Sequence, residues 1–160
     1  KFIEDDKYDR IIELAIINHN KDKNDITKNT TEKEDLHIKL IRDSDKTDII
    51  YLLTFEDKKA AWEKEDLSEE VFTEEIYREF IEDKNIFYTN MKTYADRLIG
   101  HFAYVYDFNY EYGLKIVYEN KYYNKIYNRF KFNNKKTEEE FKNIYNTTID
   151  YITEKLNKNQ

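Results

Sequence analysis

The feature that most restricts the fold of this chain is its near lack of residues that end helices or form tight turns. The chain has no proline and two glycines, Gly100 and Gly113, among 160 residues. Folds rich in strands need turns that usually contain glycine or proline, so a sheet of several strands is disfavoured. Apolar residues recur instead at helical spacing between loops of Asn, Asp and Lys. We therefore expect an all-α fold, an irregular multi-helix bundle.

The composition indicates a folded chain with polar loops. Hydrophobic residues make up 39% and charged residues 38%, but aromatic residues reach 16%, with 15 Tyr and 10 Phe. Large aromatic side chains each bury much apolar area, so a core can form although other apolar residues are few. The predicted helices span 7–18, 31–53, 68–83, 93–106, 110–119, 121–130 and 138–156, with a helical turn at 60–62. Thr31 with Glu34, and Thr137 with Glu140, have the spacing of capping boxes.

Charge and residue content exclude several classes of protein. The net charge of −7 argues against a surface that binds a nucleic acid duplex, because neutralising phosphates needs a basic patch. The absence of cysteine excludes disulfides, thiolate nucleophiles and zinc–thiolate sites. No apolar run approaches the ~20 residues of a membrane span. We expect a cytoplasmic protein without a membrane segment.

The first candidate motif, residues 15–21 (AIINHNK), places His19 where an apolar helix gives way to a polar loop. A histidine in that position can offer one imidazole nitrogen to a metal ion while a second group holds the other nitrogen. The alternative is a histidine that caps the helix or faces solvent.

The second motif, residues 40–50 (LIRDSDKTDII), carries three acids and two bases within an apolar helix. Charge at such positions costs free energy unless it is paired or binds metal. Asp45 lies one turn after Ile41 and one turn before Ile49, so we expect Asp45 on a buried face, with Asp43 and Lys46 pointing elsewhere. The alternative is a solvated face on which the two bases pair with neighbouring acids, with Asp45 making a hydrogen bond in helix packing.

Together the two motifs resemble the HD superfamily of metal-dependent phosphohydrolases. One bacterial branch of that superfamily has segments that read Ala-Ile-x-Asn-His-Asn-Lys and Ile-Arg-Asp-Ala-Asp-Lys-x-Asp, close to residues 15–21 and 41–48. Asp45 follows His19 by 26 positions. Residues 98–110 (LIGHFAYVYDFNY) and 119–122 (ENKY) are similar to later helices of the same branch. The resemblance thus covers most of the chain.

The resemblance implies roles for four residues. His19 would be a late metal-ligand histidine and Asp45 the final aspartate ligand. Arg42 and Lys46 would either contact a substrate phosphate as cations or, as the favoured alternative, form salt bridges with neighbouring acids. A divalent metal would acidify a bound water and polarise a phosphoryl group. The implied substrate is a phosphorylated small molecule such as a nucleotide. No residue of this chain is assigned a catalytic role.

One element of the family pattern is missing. Its adjacent His-Asp pair does not occur, because the three histidines precede Asn20, Ile38 and Phe102. We expect that pair and the first histidine upstream of Lys1, so that the chain is a piece of a longer protein. Residues 1–54 would be a partial HD-type domain and 55–160 a C-terminal, aromatic-rich helical region packed on it as one unit. Two ligands are too few for a stable metal site, so we expect an inactive chain that binds metal weakly or not at all.

The competing interpretation is a non-catalytic helical module for protein interaction or dimerisation. Loss of upstream helices would leave an apolar patch that self-association could cover, giving a homo-oligomer. The aromatic helices would then form part of a partner surface. In both interpretations His37 and His101 are structural residues.

Overall fold

The computed structural model describes residues 6–21, 23–83, 86 and 88–158, and over these residues the fold is all-α, without a strand. This confirms the fold class expected from the sequence. Within the described ranges, every helix is too short or too polar to span a lipid bilayer. The α-helices are α1 (Asp9–Asn18), α2 (Glu32–Leu52), α3 (Lys58–Trp62), α4 (Glu74–Arg78), α5 (Tyr94–Ala103), α6 (Glu111–Glu119), α7 (Tyr122–Tyr127) and α8 (Lys135–Asn157). A π-helical turn, Glu79–Asp83, extends α4, and a 3₁₀ turn, Tyr104–Asp107, extends α5.

The first two helices lie side by side and run in the same direction. Arg10 Nε lies 2.6 Å from Glu34 Oε1, and Arg42 donates a hydrogen bond of 2.7 Å to the carbonyl of Asn18. Each pair joins residues 24 positions apart, which requires parallel helices. The loop between them returns the chain to Thr31, which forms the predicted capping box with Glu34 and starts α2.

The core is aromatic and is built mainly around α8. Phe141 packs against Phe102 at a centroid distance of 5.6 Å and against Tyr127 at 4.9 Å. Ile50 and Leu53 of α2 belong to the same apolar cluster, so the second half of α2 is joined to the later helices. The division of the chain at residue 54 stays a prediction. The buried core contains no side chain from α1, in which Asn18 is the one buried residue.

The helix predicted over 68–83 is shorter than expected, because its first six residues are not helical. Asp66 accepts hydrogen bonds from the backbone and the hydroxyl of Ser68, which closes a turn. Asp96, at the start of α5, accepts from Thr73 N at 2.8 Å and Thr73 Oγ1 at 2.6 Å. These contacts hold the segment to the N-terminus of α5, and α4 begins only at Glu74.

The start of α8 also differs from the prediction. Asn134 caps the helix by accepting a hydrogen bond of 3.2 Å from Thr137 N, so Thr137 lies within the first turn and is buried. Asn is among the best N-cap residues, and it takes the role predicted for Thr137.

Candidate functional site

A cleft of about 690 Å³ lies between the end of α1, the middle of α2 and the 3₁₀ turn Tyr104–Asp107. Both predicted metal ligands, His19 and Asp45, line this cleft. Two residues that lie 26 positions apart in the sequence therefore border the same cleft. The polar side chains along its wall are His19, Asn20, Lys21, Lys23, Asn24, Asp25, Asp45, Lys46 and Asp107.

His19 has the local geometry of a histidine that can bind a metal. Its Nδ1 lies 2.6 Å from the carbonyl oxygen of Ile16. A carbonyl only accepts, so Nδ1 carries the proton and donates, and Nε2 is left with the lone pair. The same arrangement fixes the ring of metal-binding histidines in proteins. His19 is half-buried, at the point where α1 ends.

The sequence predicts Asp45 on the buried face of α2, with Asp43 and Lys46 pointing elsewhere, and this prediction is wrong. Asp45 is half-buried at the cleft, whereas Asp43 and Lys46 are each only 6% exposed. The buried face of α2 follows the four-residue spacing of 38, 42, 46 and 50. This spacing turns Lys46 inward and leaves Asp45 at the edge of the helix next to the cleft.

Arg42 holds the loop that follows α1. It is 1% exposed, and its Nη1 donates to the carbonyls of Asn18 at 2.7 Å and Lys21 at 2.6 Å. Its Nη2 donates to Asp107 Oδ2 at 2.7 Å. Arg42 is also not among the residues that line the cleft. This environment favours a structural role for Arg42 over the expected contact with a substrate phosphate.

Asp107, which sequence reasoning did not single out, is the partner of three cations. Besides Arg42, Lys46 Nζ lies 2.6 Å from Oδ2 and Lys23 Nζ lies 3.3 Å from Oδ1. Lys23 also donates to the carbonyl of Tyr106 at 2.5 Å. The available signal was an acid directly flanked by aromatic residues, within the run 102–112 (FAYVYDFNYEY), where an unpaired charge would be costly.

Asp43 fixes the segment just after Asp107. Its carboxylate accepts hydrogen bonds from Asn109 N at 2.9 Å, Asn109 Nδ2 at 2.8 Å and Tyr110 N at 2.8 Å. These backbone groups lie at the start of α6, where the donors have no helical acceptor. Asp43 and Arg42 together attach both other walls of the cleft to α2.

The charges around the cleft are balanced. Three lysines, at 21, 23 and 46, face three aspartates, at 25, 45 and 107. Burial raises the pKa of Tyr104, a hydrogen bond with Tyr88 opposes this shift, and the negative charges of Asp45 and Asp107 add to it. The phenol at the wall of the cleft therefore stays neutral at physiological pH.

His19 and Asp45 fit a divalent metal in donor type but not in number. An imidazole nitrogen and a carboxylate oxygen suit zinc, manganese or iron, and such sites commonly use at least three protein ligands. Among the residues that the structure describes, no group of three or more His, Asp or Glu side chains is arranged to hold a metal ion.

Comparison with protein-family models, with curated proteins and with solved structures gives no match for this chain. The resemblance to the HD superfamily therefore stays a prediction from the two sequence motifs.

Proposed function

We propose that this chain supplies the late part of the metal site of an HD-type phosphohydrolase that acts on a phosphorylated small molecule such as a nucleotide. One observation carries the proposal. His19 and Asp45, which the sequence motifs pick out as ligands, line the same cleft although they lie 26 positions apart. The hydrogen bond from His19 Nδ1 to Ile16 adds support, since it leaves Nε2 as the donor for a metal.

A divalent ion bound there would polarise a phosphoryl oxygen and lower the pKa of a bound water. His19 and Asp45 would hold it. Lys46 lines the cleft next to Asp45 and remains the candidate for contact with a substrate phosphate. Lys46 lies 2.6 Å from Asp107, so a phosphate would compete with that carboxylate for the ammonium group.

The 160-residue chain is expected to hydrolyse no phosphate ester by itself, because it lacks a His-Asp pair and offers two ligands. The test is release of p-nitrophenol from its phosphate monoester and diester with added Mn²⁺, Mg²⁺ or Zn²⁺. Turnover that disappears in H19Q would contradict the expectation that two ligands are insufficient.

The ligand assignment is tested by adding Mn²⁺ to the full 160-residue chain and observing the histidine ring signals by NMR. The proposal requires binding through two ligands that is weak but detectable in this way, so the paramagnetic ion is expected to broaden the His19 signals first. H19Q should weaken the effect of Mn²⁺ on the rest of the cleft. H37Q is the matched control, because His37 is exposed on α2 and does not line the cleft. Equal broadening of His37 and His19, or none at His19, would refute the assignment.

The second candidate function, an interaction module, is favoured by apolar side chains exposed on α1 and α2. Ile16 is 60% exposed, and none of the apolar side chains of α1 is buried. The other large apolar side chains exposed on these two helices are Ile12, Ile17, Leu36, Leu40, Ile41, Tyr51 and Leu52. Sedimentation velocity of the chain and of I16E tests this function. A concentration-dependent oligomer that I16E dissociates would support it, and a monomer at all concentrations would count against it.

A further inference from the structure

The carboxylate of Asp107 is the point where the three walls of the cleft meet. Arg42 and Lys46 reach its Oδ2 from α2, at 2.7 and 2.6 Å. Lys23 reaches its Oδ1 from the loop after α1, at 3.3 Å. Asp107 itself ends the 3₁₀ turn that follows α5. A single carboxylate therefore connects α2, the loop after α1 and the turn after α5, in addition to the hydrogen bonds of Asp43 and Arg42 described above.

The path from Asp107 to His19 passes through Arg42. One nitrogen of the guanidinium is held by Asp107, and the other donates to the carbonyls of Asn18 and Lys21. These two carbonyls flank His19 in the chain. A planar guanidinium that is fixed on one side presents its other donors in a fixed direction. The position of the His19 backbone therefore depends on the orientation that Asp107 gives to Arg42.

The path from Asp107 to Asp45 is shorter. Lys46, the next residue in α2, is 6% exposed and directs its ammonium to the same Oδ2. Without that partner, the buried ammonium would lose its counter-charge, and the nearest cleft carboxylates would become its alternatives. Asp45 lines the same cleft and would then compete for Lys46 instead of a metal.

We propose that Asp107 is a positioning residue of the candidate metal site: through Arg42 it fixes the loop that carries His19, and through Lys46 it leaves Asp45 free to bind metal. This inference rests on the proposed function, because it concerns the same two ligands. Asp107 is not itself proposed as a metal ligand. The carboxylate is engaged with cations, which lowers its availability to a metal ion.

The experiment compares four forms of the full chain: unsubstituted, D107N, R42K and D150N. D107N keeps the side-chain shape but removes the charge. R42K keeps a charge at position 42 but cannot bridge two carbonyls and a carboxylate at once. D150N is the matched control, because Asp150 is exposed on α8 and its change alters the net charge equally. Circular dichroism confirms that each form is helical.

Two measurements are made on each form. Amide hydrogen exchange reports the opening of the peptide that contains residues 19–31, and Mn²⁺ titration reports broadening of the His19 ring signals. We expect D107N and R42K to exchange faster in this peptide and to need about tenfold more Mn²⁺, the lower end of the effect of losing a group that orients a metal ligand. D150N should match the unsubstituted chain in both.

The two measurements separate the failure of this inference from the failure of the proposed function. If D107N matches D150N in both measurements, Asp107 does not position the site and the inference is wrong. If D107N opens the loop but Mn²⁺ binds His19 equally well in all forms, the carboxylate is structural only, which also overturns the inference. If Mn²⁺ does not reach His19 even in the unsubstituted chain, the proposed function fails, and with it the positioning of a metal site.

Discussion

His101 stays neutral in the folded chain well below the pH at which a free histidine titrates. Burial lowers its pKa from 6.5 to about 4, and the positive charge of Arg97 acts in the same direction. Its Nδ1 accepts a hydrogen bond of 3.0 Å from Trp62 Nε1, a contact that requires that nitrogen to be unprotonated. The ring also lies edge-on to Tyr104, with centroids 5.6 Å apart. These contacts agree with the structural role expected for His101.

The lowered pKa makes the stability of the fold depend on pH. The unfolded chain takes up a proton at higher pH than the folded chain does, so the contribution of His101 is complete above its unfolded pKa of 6.5. It is lost progressively as the pH falls toward the folded value. From the shift, the free energy of unfolding should fall by about 2 kcal/mol between pH 7 and 5 through this residue alone.

The assay is urea unfolding of the unsubstituted chain and of H101Q at pH 7 and pH 5, followed by the fluorescence of Trp62, the one tryptophan. Gln cannot titrate, and its carbonyl can still accept from the indole. H101Q should therefore lose about 2 kcal/mol less than the unsubstituted chain over this range. H37Q, which changes an exposed histidine, should keep the full dependence. Equal pH dependence in H101Q and the unsubstituted chain would refute the reasoning.

Two further predictions concern packing and the attachment of α6. A Cβ at residue 113 would lie 2.4 Å from Cε1 of the Phe108 ring, so G113A should destabilise the fold by about 2 kcal/mol in urea unfolding. G100A is its control. A Cβ at residue 100 would lie 2.7 Å from Cε of Met91, the flexible end of a side chain that can move aside, so we expect G100A to be as stable as the unsubstituted chain. D43A removes the acceptor for the donors at the start of α6 and should cost about 3 kcal/mol, measured in the same way. D48A, an exposed change on the same helix, should cost far less; similar losses in both would contradict the role of Asp43.

The helices that the sequence predicts well are those set by local signals. Helix α2 begins at Thr31 because its hydroxyl and the Glu34 side chain satisfy nearby backbone donors, and both residues are visible in one short stretch. The segment before α4 was predicted wrongly for the opposite reason. Thr73 donates to Asp96, which lies 23 residues later, and a local sequence pattern cannot predict an acceptor at that distance.

The same distinction explains the candidate site. His19 and Asp45 were found from short motifs, and the structure brings them to one cleft. Asp107 was not found, because its partners Arg42 and Lys46 lie more than 60 residues away, and an acid within an aromatic run indicates a paired charge without identifying the partners. Its role becomes visible only when α2 and the turn after α5 are placed together.

The charged centre of α2 shows why a helical pattern alone misjudged burial. The prediction that Asp45 is buried assumed that Ile41, one turn earlier, belongs to the core. Ile41 is in fact 41% exposed, and the neighbouring Arg42 is buried instead. Burying a guanidinium costs free energy that hydrogen bonds must offset, here from Nη1 to carbonyls of the preceding loop and from Nη2 to Asp107, whereas Nε has no hydrogen-bond partner among the described residues. Those partners select one arrangement of the loop, α2 and the turn after α5, since other arrangements would leave the charge unpaired. The buried charges of α2 thus specify where the cleft forms, and the half-buried Asp45 beside them lines its wall.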